Sequence, residues 1–171
     1  RRLFPRARLH RVSHHKGHAV GADCSSGFER CLNVVIEGCD FDNCLVIERY
    51  APDRRELLAA TPWPHSPGYF YILVTQLLGF NGYTHGGKIT GLAAFGDPQR
   101  CLEPVSRLMW TEGMRVRLHP DVHYWRTRNA AARARGGSWL PSALAPYSRE
   151  EIAAAFQRRF EECLVEAVAL A

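Results

Sequence analysis

His14 and His18 stand four residues apart in the stretch Val12-Ser13-His14-His15-Lys16-Gly17-His18-Ala19. On a helix, that spacing brings two imidazoles to one face, one turn apart. Two neutral imidazoles so placed can share a metal ion, with bonds of about 2.0–2.1 Å if the ion is zinc. The zinc-protease pattern H-E-x-x-H has the same spacing but needs a glutamate after the first histidine as general base. His15 occupies that position here, which argues against a protease of that kind. Two ligands do not make a selective site, so the pair calls for at least one carboxylate. Without a metal, the stretch reads as a helix start that is rich in histidine.

The flanking chain must place these rings. Residues 8–12 suit a short strand that leads into the histidines, and residues 17–26, small and apolar, suit a helix packed closely on a sheet. Residues 31–37 are rich in β-branched side chains and read as a buried strand. Turn-forming residues follow at 38–43, and residues 44–50 read as the returning strand of a hairpin. A second turn at residues 52–55 leads to a short strand, or an exit from the sheet, at 56–60, and Pro62-Trp63-Pro64 is a rigid connector. Residues 66–78 form the clearest helix, with Ser66 as N-cap, Pro67 in the first turn and Gly79 as terminator. Ser66 reads as a cap rather than a nucleophile. Residues 81–87 read as a polar loop, 88–95 as a short helix, 99–110 as another helix and 114–118 as a strand. Residues 124–146 have no clear period and read as a basic surface excursion. Ser148 and Glu151 form a capping box for an amphipathic helix over 148–171.

Composition narrows the classes of function. At 171 residues, with 46% apolar and 23% charged side chains, the chain suits one globular domain with a sizeable core. No apolar run approaches the ~20 residues that span a bilayer. The basic start, residues 1–6, lacks a following apolar region and is not a secretory signal. The net charge of +5 comes almost wholly from scattered arginine, Lys16 and Lys88 being the only lysines. Scattered arginine reads as solvated surface rather than as a nucleic-acid interface. The six cysteines form no C-x-x-C pair and read as reduced thiols of a cytoplasmic protein.

Four segments resemble, in order, the carbamoyltransferases of nodulation and antibiotic biosynthesis. His14-His15-Lys16-Gly17-His18-Ala19 is similar to their His-His-x-x-His-Ala motif. His65-Ser66-Pro67-Gly68-Tyr69-Phe70-Tyr71, with Thr75-Gln76-Leu77-Leu78-Gly79-Phe80, resembles Ser-Leu-Gly-x-x-Tyr…Thr-x-x-Leu-Gly-Phe. Gly87-Lys88-Ile89-Thr90-Gly91-Leu92-Ala93-Ala94-Phe95-Gly96 resembles Gly-Lys-x-Met-Gly-Leu-Ala-x-Tyr-Gly, and Ile152-Ala153-Ala154-Ala155-Phe156-Gln157 resembles Ile-Ala-x-x-x-Gln.

The resemblance implies an α/β fold, part of an actin-like, ribonuclease-H-type domain with a mixed sheet and packed helices. It implies transfer of a carbamoyl group from carbamoyl phosphate, by way of an ATP-derived carbamoyl-adenylate, to a hydroxyl of a sugar or other small-molecule acceptor. It implies a divalent metal, commonly iron and alternatively zinc, on His14 and His18. Glu37-Gly38 stands where the family has Asp-Gly near the metal and phosphates, so Glu37 is the matching third ligand and Gly38 a cofactor-binding position. Asp40 and Asp42 are nearby substitutes that also read as turn residues. His15 is a candidate base or phosphate partner, or a packed ring that orients its neighbours. Gly87 and Lys88 would hold a phosphate, or the negative charge that develops during transfer.

The family also carries parts expected outside this chain. They are an N-terminal phosphate-binding hairpin, a Gly-Gly-x-x-x-Asn loop, a metal-binding Asp and an adenylate-forming domain. The chain is therefore expected to be a fragment or one piece of a split enzyme, incomplete alone. A tRNA threonylcarbamoyl-transferase relative and a non-catalytic interaction module are the alternatives.

Overall fold

A computed structural model describes residues 8, 10–40, 43–122 and 139–171, with backbone alone at 39 and 40. Three strands, β1 (Cys31–Asp40), β2 (Asn43–Ala51) and β3 (Arg54–Pro62), form an antiparallel sheet in sequence order. Val34, Val35 and Ile36 lie opposite Ile47, Val46 and Leu45, so β-branched and apolar side chains meet across the ladder. The expected hairpin is present, and the third segment stays in the sheet as β3. Alternation gives the sheet two faces. Leu45 and Ile47 enter the main core, and Val34 packs against it. Asn33, Val35 and Glu37 point the other way, toward α1 (His14–Ser26).

The core layer is built from helices. α2 (Pro67–Leu77) starts at Ser66, whose hydroxyl accepts from Tyr69 N–H, and Gly79 past its end takes the left-handed conformation. α3 (Gly86–Ala93) and α4 (Pro98–Ser106) follow. After β4 (Met109–Glu112), β5 (Arg115–Leu118) and the short α5 (Leu140–Leu144), α6 (Arg149–Ala169) crosses the layer. Its capping box closes as Ser148 and Glu151 predict. Phe156 stacks on Phe70 of α2 with ring centroids 4.8 Å apart. Two hydrogen bonds tie the β4–β5 hairpin to the rest: Val116 N–H donates to Thr61 Oγ1 and Leu118 N–H to His65 Nδ1. Burial, with the Arg117 charge nearby, pushes the His65 pKa down and keeps that nitrogen an acceptor.

Several expectations are corrected. Residues 8 and 10–12 are exposed and form no strand, while Leu9 lies outside the described residues. The turn at 38–43 falls partly on residues 41 and 42, also outside them. α3 begins two residues early, because Gly86 and Gly87 are already helical. The helix over 99–110 stops at Ser106, and Met109 opens β4 instead. The cause is tertiary: the Met109 carbonyl accepts from Arg159 Nε at 2.7 Å, and Met109 pairs with Leu118 across a turn at Gly113. Part of the irregular 124–146 stretch is the helix α5, which buries Leu140 and Leu144, whereas residues 124–138 lie outside the described residues. Every strand pair among the described residues is antiparallel, where a mixed sheet was expected. No helix among them is long and apolar enough to cross a membrane.

The turn after α3 is packed so closely that one residue type fits. A Cβ at Gly96 would overlap the Glu150 carbonyl and lie 2.7 Å from Glu151 N, at the start of α6. Gly91, inside α3, has nothing within 4 Å of its added Cβ. Gly96→Ala is expected to cost about 3 kcal/mol through overpacking. Gly91→Ala should add about 0.5–1 kcal/mol through helix propensity and a less flexible unfolded chain. Urea unfolding of the two variants checks both signs.

Candidate metal centre

α1 opens at Ser13, whose side chain accepts from Lys16 N–H at 3.5 Å, and closes at Gly27 in the left-handed conformation. Its buried face is His15 and Ala19, one turn apart. The helix runs antiparallel to β1, along the face that carries Asn33, Val35 and Glu37. At its C-terminal end Asp23 accepts from Asn33 Nδ2 at 2.7 Å and pairs with Arg55 of β3. At its N-terminal end His14 and His18 meet Glu37.

There two ring nitrogens and one carboxylate oxygen form a closed triangle. His18 Nε2 lies 3.0 Å from His14 Nε2 and 2.9 Å from Glu37 Oε1, and His14 Nε2 lies 3.4 Å from the same oxygen. The two imidazoles are 56% and 51% exposed and the carboxylate 28%. Each Nε2 carries at most one hydrogen, so hydrogen bonds can satisfy at most two of the three contacts. A single cation satisfies all three. Ligand atoms that share one face of an ion at roughly 2.0–2.1 Å stand about 3.0–3.4 Å apart. The donor set therefore fits a divalent transition metal, and two histidines with one carboxylate is the face that non-heme iron(II) uses.

The remaining expected site residues fall in three places. His15 is 6% exposed, beneath the helix, with its ring 6.4 Å from that of His14 in an edge-on arrangement. Gly38 adjoins the cluster: a Cβ added at Gly68 would stand 3.1 Å from Gly38 Cα and 3.2 Å from Glu37 O. Gly87 and Lys88 are in the first turn of α3. The Lys88 ammonium sits 5.0 Å from the Phe80 ring centroid, past the C-terminal end of α2, and Arg149 sits 5.0 Å from that ring. Glu37 meets α2 at its other end, at Ser66. Eleven residues of helix separate the two ends by roughly 16 Å. Lys88 is therefore not brought to the histidine cluster. The side chain of Asp40 and the whole of Asp42 lie outside the described residues.

Sequence reading missed the polar groups that hold α1 in place. Asp23 is 5% exposed and bound by Asn33, Arg55 and the Cys31 thiol, while Arg55 also pairs with Glu48 at 2.8 Å and lies over Tyr50. The available signal was Asn33, a polar residue in a strand read as buried, which must find a partner. The thiols are consistent with a passive role. Cys24, Cys31, Cys101 and Cys163 form no disulfide, and burial pushes Cys101 up to about 12 and Cys163 up to about 11.

The family described as Carbamoyltransferase N-terminus matches residues 3–171. The chain belongs to that family. Nodulation protein NolO of Bradyrhizobium diazoefficiens is 35% identical over 114 residues, covering 63% of this chain and 20% of NolO. Nodulation protein NolNO of Sinorhizobium fredii is 37% identical over 93 residues, covering 54% of this chain and 13% of NolNO. The matches thus span about a fifth or less of these curated relatives. The Glu37 carboxylate reaches both imidazoles.

The Asp23 tether gives a pH test. Burial alone would raise the Asp23 pKa, but hydrogen bonds from Asn33 and Arg55, the Arg55 charge and the Cys31 thiol together hold it below the ordinary 3.8. A depressed carboxyl contributes stability that is fully present above the unfolded value and lost as pH falls through the folded one. Urea titrations from pH 6 down to pH 3 should show the wild type losing stability more steeply below about pH 4 than Asp23→Asn. Parallel curves would remove the assignment.

Proposed function

We propose that this chain is the transfer domain of a carbamoyltransferase and takes an actin-like, ribonuclease-H-type fold. In this reading a divalent metal, iron or alternatively zinc, is held by His14, His18 and Glu37. The carbamoyl group comes from carbamoyl phosphate, through an ATP-derived carbamoyl-adenylate, and goes to a hydroxyl of a sugar or other small-molecule acceptor. The observation that carries the reading is the triangle of two imidazole nitrogens and one carboxylate oxygen, 2.9–3.4 Å on a side. Family membership supplies the type of group transferred.

A divalent ion at the triangle would supply Lewis-acid polarisation of an oxygen on the donor. The chain's own residues supply the rest. The exposed side of the two rings leaves room for a ligand to approach from solvent, while the sheet closes the other side. His15, packed beneath α1, fixes the helix that presents its two neighbours. Gly87 and Lys88, with Arg149 against the same Phe80 ring, form a separate cationic surface suited to phosphate of ATP or of the adenylate. Residues that make the adenylate lie elsewhere, in the rest of the protein or in a partner chain that completes a split enzyme. The thiols of Cys24, Cys31, Cys101 and Cys163, none of them in a disulfide, support a reducing, cytoplasmic setting.

Anaerobic titration of the folded chain at pH 8 with iron(II), and separately with cobalt(II) and zinc(II), should show one site. His14→Ala, His18→Ala and Glu37→Gln should each weaken it by at least about 100-fold. In the longer protein the same substitutions should abolish carbamoyl transfer from carbamoyl phosphate and ATP. Absence of stoichiometric metal at pH 8 in the folded wild type would overturn the reading in favour of a non-catalytic module.

A further inference from the structure

We propose that Ser66 is a positioning residue for Glu37: its buried hydroxyl ties the start of α2 to the backbone of the carboxylate ligand. The proposal rests on the metal reading of the His14–His18–Glu37 triangle. Three observations converge on this contact. First, the hydrogen-bond register of β1 against β2 lapses after Ile36↔Leu45 and resumes at Asp40↔Asn43. Glu37 therefore falls in a stretch of strand that the regular ladder does not hold. Second, Ser66 Oγ donates to the Glu37 carbonyl at 3.2 Å while accepting from Tyr69 N–H at 3.2 Å. One hydroxyl thus caps the helix and grips the strand, a pairing that needs a group able to donate and accept. Third, Ser66 is fully buried, and the next turn of chain touches the same spot, because a Cβ at Gly68 would stand 3.1 Å from Gly38 Cα and 3.2 Å from Glu37 O.

The consequence is an arrangement in which each ligand group is held from its own element. α1 presents the imidazoles, and Asp23 holds α1 on the sheet. Glu37 must rise from the strand to meet them, and its backbone is fixed from the opposite side by the Ser66–Gly68 turn. Groups that orient a ligand without touching the ion commonly change metal affinity by 10–100-fold when removed. A cap alone would not do this.

Cobalt(II) binding to the 171-residue chain, followed by its visible absorption bands, separates the two roles. Ser66→Ala should weaken cobalt(II) binding by roughly 10–100-fold, and Ser66→Thr, which keeps a donor and acceptor, should restore it to within about threefold. Ser148→Ala, which removes the cap of α6, should lower the unfolding midpoint yet leave cobalt(II) affinity unchanged. Folded Ser66→Ala that binds cobalt(II) like the wild type, while Glu37→Gln does not, would show that the hydroxyl is only a cap and would overturn the proposal. Unchanged binding by Glu37→Gln would instead remove the metal reading, and this proposal with it. If Ser66→Ala does not fold, Gly68→Ala tests the contact from the other side, since its methyl must shift the Glu37–Gly38 backbone; weakened cobalt(II) binding supports the proposal and unchanged binding overturns it.

Discussion

The register of one helix on one strand decides whether His14, His18 and Glu37 meet. α1 and β1 touch along Asn33, Val35 and Glu37, every second residue of the strand. Asp23 fixes one end of that contact through Asn33 and Arg55, in surroundings that exclude most water. A charge in such a place is tolerated only when paired and hydrogen-bonded, and leaving it unpaired is costly. The pair thus permits few alternative placements of the helix. Sliding α1 by one residue would turn His14 and His18 by about 100° around the helix axis and carry both away from Glu37. Ala19 contributes by being small, which lets the backbone of α1 approach the sheet.

The helical layer supports the other side of the strand. α2 carries the Ser66–Gly68 turn at one end and Phe80 beyond the other, and α6 backs it through the Phe70–Phe156 stack. Three of the recognised sequence segments meet at a single chain of hydrogen bonds in this layer. Tyr71 Oη lies 2.9 Å from Thr90 Oγ1 and donates to Gln157 Oε1 at 2.6 Å, and Gln157 Nε2 donates to Glu161 at 2.6 Å. Burial pushes the Tyr71 pKa up, so the phenol stays a donor. These segments are therefore close to one another for structural reasons that involve neither the histidines nor Lys88.

Local signals in the sequence were strong enough to locate most elements. The 31–50 hairpin was legible because its apolar residues are β-branched and its turn residues cluster. Ser66-Pro67 and Ser148…Glu151 marked two helix starts through hydrogen-bonding chemistry that needs no tertiary partner. That His14 and His18 share one helix face was legible from their spacing, whereas the approach of Glu37 to both rings is set by the packing of α1 on β1. Met109 was not, because its conformation is set by Arg159 and Leu118, fifty and nine residues away. The Asp23–Arg55 pair was hidden for the same reason, since nothing near either residue in the sequence announces the other. The grouping of Lys88 with the histidines failed where sequence order stood in for distance: neighbouring motifs lie at opposite ends of α2.

Glutamate at position 37 follows from the same layer geometry. α1 rests on the sheet through His15 and Ala19, which places His14 and His18 on the flank of the helix, half exposed, rather than beneath it. A carboxylate on β1 must therefore reach outward along the helix as well as up from the strand. The extra methylene of glutamate, relative to aspartate, provides that reach, and Oε1 stands within 3.4 Å of both nitrogens. Longer reach brings more rotamer freedom, which must be lost if the oxygen is to stay in place. That cost falls on the side chain, so the backbone beneath it gains most from being fixed. Ser66 and Gly68 press on that backbone where the β1–β2 ladder lapses.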